Sequence, residues 1–197
     1  MGGRAAHHAD QSDSLTETRE FLLTIRRSGD PLRLRDEALF SLYAMTGLRR
    51  AEALSLNFGD FDRQTGTLRL RQGKGRRVRI VPVAVPLCSL LDRLRGDDAK
   101  EGKLFPGRGA GRGLTVRQAH GRFEKWKRVT GLRPQLTIHS FRVGFATALH
   151  EQTSDAMTIA RILGHRDLRM TLRYTSTSVE GMRRAIGIVG SAVGAGV

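Results

Sequence analysis

The chain has 197 residues, enough for one domain that buries its own core without disulfide or metal staples. Lysine plus arginine number 34 against 19 aspartate plus glutamate, a formal charge of +15 that favours a polyanionic partner, although charge alone does not choose between nucleic acid and an anionic membrane surface. The single cysteine, Cys88, excludes an intramolecular disulfide and a cysteine-rich zinc site, and the apolar stretch Val78 to Leu91 is too short and too interrupted to span a bilayer, so a soluble cytoplasmic protein with no membrane partner is expected.

Residues 1–13 are small, polar and aperiodic and predict a disordered leader. Helical spacing begins at Ser14, with Leu15, Phe21, Leu22 and Ile25 on one face, and stops at Gly29-Asp30-Pro31. A second helix is predicted over Leu34 to Met45, broken by Gly47, and a short third one from Arg50 to Leu56. Leu39, Leu42, Leu54 and Leu56 are candidate core residues.

The period then changes. Thr67 to Arg71 and Val78 to Val81 alternate apolar with basic residues, as half-exposed strands do, and Gln72 to Arg77 between them reads as a glycine-containing hairpin loop. Helical spacing resumes near Pro86 with Leu87, Leu90, Leu91 and Leu94. The glycine-rich stretch Gly102 to Gly113 predicts a mobile loop. Three more helices are expected over Val116–Val129, His139–Glu151 and Ala156–Leu163, and Asp167 can cap a short one toward Tyr174. The whole reads as α+β, mainly α-helical, with one small antiparallel sheet.

Several familiar chemistries are excluded. Gly73-Lys74-Gly75 lacks the hydroxyl that a P-loop needs on magnesium, and Gly107 to Gly113 follows no βαβ unit. The sequence has no His-Glu-x-x-His, no clustered carboxylates for two-metal catalysis and no Gly-x-Ser-x-Gly elbow, so neither a metal nor a cofactor is expected.

What remains is a scattered cationic set. Thr46-Gly47-Leu48-Arg49-Arg50-Ala51-Glu52 places Arg49 at a helix start, and Lys74 lies on the hairpin loop. His139 and Arg142 are spaced i, i+3 on one helix face, while His165 follows Leu163-Gly164 and Tyr174 comes nine residues later. Negative charge that develops on the non-bridging oxygens of an attacked phosphodiester suits paired arginine forks. A tyrosine hydroxyl can serve as covalent nucleophile, and lysine and histidine can move protons. Taken singly, each residue has a plain alternative: Tyr174 as a packing residue, His139 as a capped histidine, Lys74 as an exposed loop lysine.

The ordered set Arg49-x-x-Glu52, Gly73-Lys74-Gly75, His139-x-x-Arg142, Leu163-Gly164-His165 and Tyr174 resembles the catalytic domain of the tyrosine recombinases, the phage integrase family. The resemblance spans about Ser14 to Thr175 and departs at Phe141 and Val143, where the family often has leucine and histidine. It implies an integrase-like catalytic fold and cleavage and rejoining of double-stranded DNA through a 3′-phosphotyrosyl intermediate. Arg49 and Arg142 would hold the scissile phosphate, Tyr174 would attack it and Lys74 would protonate the departing 5′-oxygen. His139 would accept the tyrosine proton, His165 would hydrogen-bond a phosphate oxygen, and Glu52 would orient the Arg49 region. Arg76, Arg77 and Arg79 are assigned, with Arg50, to solvent or to tracking the DNA backbone.

The expected organisation is a leader over 1–13, a catalytic domain over 14–177 and a C-terminal tail over 178–197. Family members commonly carry a separate helical DNA-clamping domain ahead of the catalytic one, which Met1 to Asp13 are too short to supply. In the tail, Met182, Ile186 and Val189 form a one-sided stripe that either docks on a neighbouring protomer in a DNA-bound multimer or folds back on its own domain. Two other functions fit the same residues: a non-catalytic basic DNA-binding module, and a small topoisomerase of the type IB kind.

Overall fold

The computed structural model describes residues 3–72, 77–96, 101–109, 111–153, 156–164 and 179–194. Three helices come first, α1 (Gly3–Arg27), α2 (Arg33–Thr46) and α3 (Arg50–Ser55). A small sheet follows, made of β1 (Phe61–Asp62), β2 (Thr67–Gln72) and β3 (Arg77–Pro82) in the antiparallel order β1-β2-β3. The chain continues through α4 (Val85–Arg95), α5 (Val116–Thr130), α6 (Ile138–Thr153), α7 (Ala156–Leu163) and α8 (Val179–Gly194). This is the mainly helical α+β class with a small antiparallel sheet, as the sequence predicts.

The core is aromatic where the long helices meet. Phe21 of α1, Phe40 of α2, Phe123 of α5 and Phe141 of α6 pack edge-on or tilted with ring centroids 5.2–6.3 Å apart. Phe141, one of the departures from the family pattern, is thus a packing residue, 2% exposed, whereas Val143 is 52% exposed. Beside this cluster lies a buried ionic knot. Asp36, fully buried, accepts from Trp126 Nε1 at 2.8 Å, from Arg35 Nη2 at 2.9 Å and from Arg122. Asp30 receives Arg122 Nη2 at 2.8 Å and also pairs with Lys125. The knot ties α5 to the start of α2 by pairing three cations with two carboxylates that are themselves buried.

Two expectations are corrected, and a choice left open is decided. The first is the leader: helix begins at Gly3, not at Ser14. Once a nucleus exists, a helix propagates at little cost, and Ala5 and Ala6 favour it; an apolar face is needed only where the helix packs, from Leu15 onward.

The second is the glycine-rich loop, which is pinned instead of mobile. Leu104 and Phe105 are 0% and 1% exposed, Leu104 N donates to Leu56 O at 2.9 Å, and Leu114 N donates to Phe105 O at 2.8 Å. A Cβ on Gly107 would stand 2.5 Å from Gly113 O, so glycine here permits backbone to lie against backbone.

The open choice is the tail, which folds back on its own domain. Met182, Ile186, Val189 and Val193 of α8 are all buried, and the helix packs on α6, α4 and β3 of its own domain. Gly190 and Gly194, which weaken a helix in isolation, make this seat possible: a Cβ on Gly190 would fall 2.3 Å from Ala84 Cβ, and one on Gly194 3.1 Å from Pro86. Asp167, the expected cap of a short helix toward Tyr174, lies outside the described residues.

Candidate active site

Gly47 ends α2 in the left-handed region, φ 61°, with its N–H donating to Tyr43 O at 3.0 Å. A Cβ there would meet Phe145 Cδ1 at 2.6 Å and Leu163 Cδ2 at 2.8 Å, so glycine lets the turn sit against α6 and α7. The turn delivers Arg49 to the N-terminal flank of α3. There the Glu52 carboxylate accepts the Arg49 backbone N–H at 2.8 Å through Oε2 and faces its guanidinium at 3.4 Å through Oε1. Glu52 therefore fixes both the backbone and the side chain of Arg49.

Arg142 comes from α6 and is 9% exposed. Its Nη1 donates to Gly47 O and its Nη2 to Leu163 O at 3.0 Å. Arg49 Nη2 reaches the next carbonyl, Gly164 O, at 3.4 Å. Two arginines 93 positions apart in sequence thus converge on consecutive carbonyls at the end of α7.

A third guanidinium joins them. Arg79 of β3 donates from Nη2 to Glu52 Oε2 at 3.1 Å and from Nη1 to Leu163 O at 3.5 Å, and its side chain is only 14% exposed. This corrects its assignment to solvent or DNA backbone. The ladder register explains the change: Leu68 pairs with Val81 and Leu70 with Arg79, so Arg79 shares the inward face. Val78 and Ile80, opposite Arg71 and Arg69, are 58% and 44% exposed.

Burial depresses the Arg142 guanidinium below its ordinary pKa, and the neighbouring Arg49 charge adds to this while Glu52 opposes it. Arg79 is lowered in the same way, by burial first and then partly restored by Glu52. Guanidinium groups stay charged at any working pH, so the consequence is electrostatic. Three cations share one carboxylate and otherwise rest on neutral carbonyls, which leaves a positive field suited to a bound anion.

The family model described as the phage integrase family matches residues 14–180. The chain belongs to the phage integrase family. It is 33% identical over 169 residues to tyrosine recombinase XerC of Syntrophus aciditrophicus (strain SB), with 80% of this chain and 54% of the relative aligned. It is 34% identical over 170 residues to tyrosine recombinase XerD of Mycobacterium leprae (strain TN), with 80% of this chain and 52% of the relative aligned. The chain spans about half the length of these curated relatives. In three dimensions it is similar to the XerH site-specific recombinase bound to its difH substrate, with TM-score 0.66, 27% identity, and 88% of this chain and 52% of that one covered. The crystal structure of XerA recombinase matches with TM-score 0.66 and 26% identity over 86% of this chain and 60% of that one.

Against this integrase-family frame, Arg49, Glu52 and Arg142 of the expected set are brought together. His139 is the second residue of α6 and exposed, one helical turn before the buried Arg142. Lys74, Arg76, His165 and Tyr174 lie outside the described residues, although His165 directly follows the carbonyls that gather the arginines. Arg77 pairs with Gln72 at the loop end of the hairpin. The expectation missed Arg79 and the carbonyls of Gly47 and Leu163. The only sequence signal for Arg79 was its shared parity with Val81.

Proposed function

We propose that this chain is a site-specific recombinase that cuts and rejoins double-stranded DNA through a 3′-phosphotyrosyl intermediate. The observation that carries the reading is the convergence of Arg49 and Arg142 at Leu163–Gly164, one residue before His165. Two preorganised forks in a part-buried site match the charge that develops on an attacked phosphate.

In the proposed reaction the Tyr174 oxygen attacks phosphorus and its proton passes to His139. Arg49 and Arg142 hold the two non-bridging oxygens, and His165 donates a hydrogen bond to one of them. The 5′-oxygen leaves with a proton from Lys74. One P–O bond forms as another breaks, so the ester stored on tyrosine permits religation by a 5′-hydroxyl without nucleotide or metal. Residues 14–177 form the catalytic unit, acting on cytoplasmic DNA as part of a multimer assembled on paired sites. The XerC and XerD relatives, named as tyrosine recombinases, support the reaction class.

The test is covalent capture. Wild-type protein incubated with nicked duplexes of randomised sequence is expected to yield an SDS-resistant protein–DNA adduct, and Tyr174→Phe to yield none while retaining DNA binding. An adduct from the phenylalanine variant would remove Tyr174 from the role. No adduct from wild type would leave the non-catalytic DNA-binding reading, and relaxation of plasmids without paired sites would favour a topoisomerase.

A further inference from the structure

We infer that Arg79 is a positioning residue of the strand-cleavage site, one that locks Glu52 and Arg49 to the end of α7 and to the hairpin. The inference rests on the phosphotyrosyl reading above and adds to it a residue outside the expected catalytic set. Its ground is geometry. Arg79 Nη2 meets the same Glu52 Oε2 that accepts the Arg49 backbone N–H, at 3.1 and 2.8 Å. Its Nη1 faces Leu163 O, which Arg142 Nη2 also approaches. One guanidinium therefore spans three segments that are distant in sequence: β3, the N-terminal turn of α3 and the C-terminal turn of α7.

What separates Arg79 from Arg142, which rests on the neutral carbonyls of Gly47 and Leu163, is its ion pair: Arg79 Nη2 meets the Glu52 carboxylate at 3.1 Å, and the side chain is 14% exposed. By contrast Arg69 and Arg71, on the same hairpin but of opposite orientation, are exposed. Arg79 also carries a mechanical consequence. In sequence β3 follows Lys74 by three residues, so the Arg79–Glu52 pair ties the strand next after the proposed proton donor to the helix start bearing Arg49. Releasing that tie misplaces groups that must act together, and small displacements of such groups are costly to rate.

The experiment compares wild type, Arg79→Gln, Arg79→Lys, Glu52→Gln and the Arg79→Gln/Glu52→Gln double variant. Single-turnover adduct formation at saturating nicked DNA is expected to slow about tenfold in Arg79→Gln, with the DNA dissociation constant and its salt dependence unchanged. The double variant is expected to be no slower than the worse single one, since both break the same link. Independently of activity, exchange of the Arg49 amide hydrogen, followed by NMR, should accelerate about tenfold in Arg79→Gln as Glu52 loses its anchor. Arg79→Lys should recover that protection, because an ammonium still pairs with Glu52. A salt slope lowered by about one, or an Arg49 amide that exchanges at the wild-type rate, would overturn the inference. Absence of any adduct from wild type would instead overturn the recombinase reading, with amide exchange and salt slope still deciding the place of Arg79.

Discussion

Two clusters of charge are built into this domain, and they are solved in opposite ways. In the knot around Asp30 and Asp36, cations meet carboxylates: burial alone would lower Arg122, yet its hydrogen bonds to Asp30 and Asp36 raise it above its ordinary pKa. Around Glu52, cations outnumber the carboxylate and lean on the carbonyls of Gly47, Leu163 and Gly164; burial and mutual repulsion lower Arg142 and Arg79. In the first cluster every cation meets a carboxylate directly, and the joint holds α5 to α2. The second is left open on the positive side, which costs stability unless an anion arrives. The difference is that between a structural joint and a site.

The comparison breaks most visibly if the knot is cut. Asp36→Ala leaves Arg35 and Arg122 beside a buried vacancy and Trp126 Nε1 without its acceptor, so a loss of about 3–5 kcal/mol is expected in denaturant unfolding. The Glu52 cluster should fail in the other currency. Arg142→Ala and Arg49→Ala are each expected to lower DNA cleavage by about 10²-fold, whereas the exposed neighbour Arg50→Ala should lower it far less. An equal loss at Arg50 would mean that the wrong member of the pair has been placed at the phosphate.

The smallest effect is pH dependence. Burial by itself would raise the Asp30 carboxyl, but hydrogen bonds from Lys125 and Arg122 hold it well below the ordinary carboxylate range. A depressed folded pKa means that its stabilisation is complete above the ordinary value of about 4 and is lost as pH falls below it toward the folded value. Unfolding midpoints measured across that range should therefore fall less steeply for Asp30→Asn than for wild type. Parallel curves would remove Asp30 from the knot.

Much of the site was legible from spacing because its anchors are local. Arg49 and Glu52 lie one helical turn apart, so their partnership follows from i, i+3 geometry. Gly47 stands where a helix must stop, and Arg142 follows His139 by the same interval. The helices at Leu34, Pro86, Val116 and Ala156 were equally plain, since each carries its own apolar period and its own glycine or proline boundary. The pinned loop at 101–113 was not: glycine content signals conformational freedom, and only contacts from Leu56 and Phe105 remove it. The stripe on α8 was visible, but a stripe states that a face must be covered, not by what.

Strand β3 marks the boundary between the two kinds of information. Its residues Val78-Arg79-Ile80-Val81 contain apolar side chains of both parities, so alternation alone cannot choose which face turns inward. Local pattern by itself determined that this segment is extended, and that Leu68 and Leu70 of β2 point to the core, because there the apolar residues share one parity. The pairing of Leu68 with Val81 and of Leu70 with Arg79 decided the rest, turning Ile80 outward and Arg79 toward Glu52. A side-chain period is a property of a few consecutive residues and survives in any context. A register is a property of two segments at once, and it exists only after the tertiary fold has brought them together.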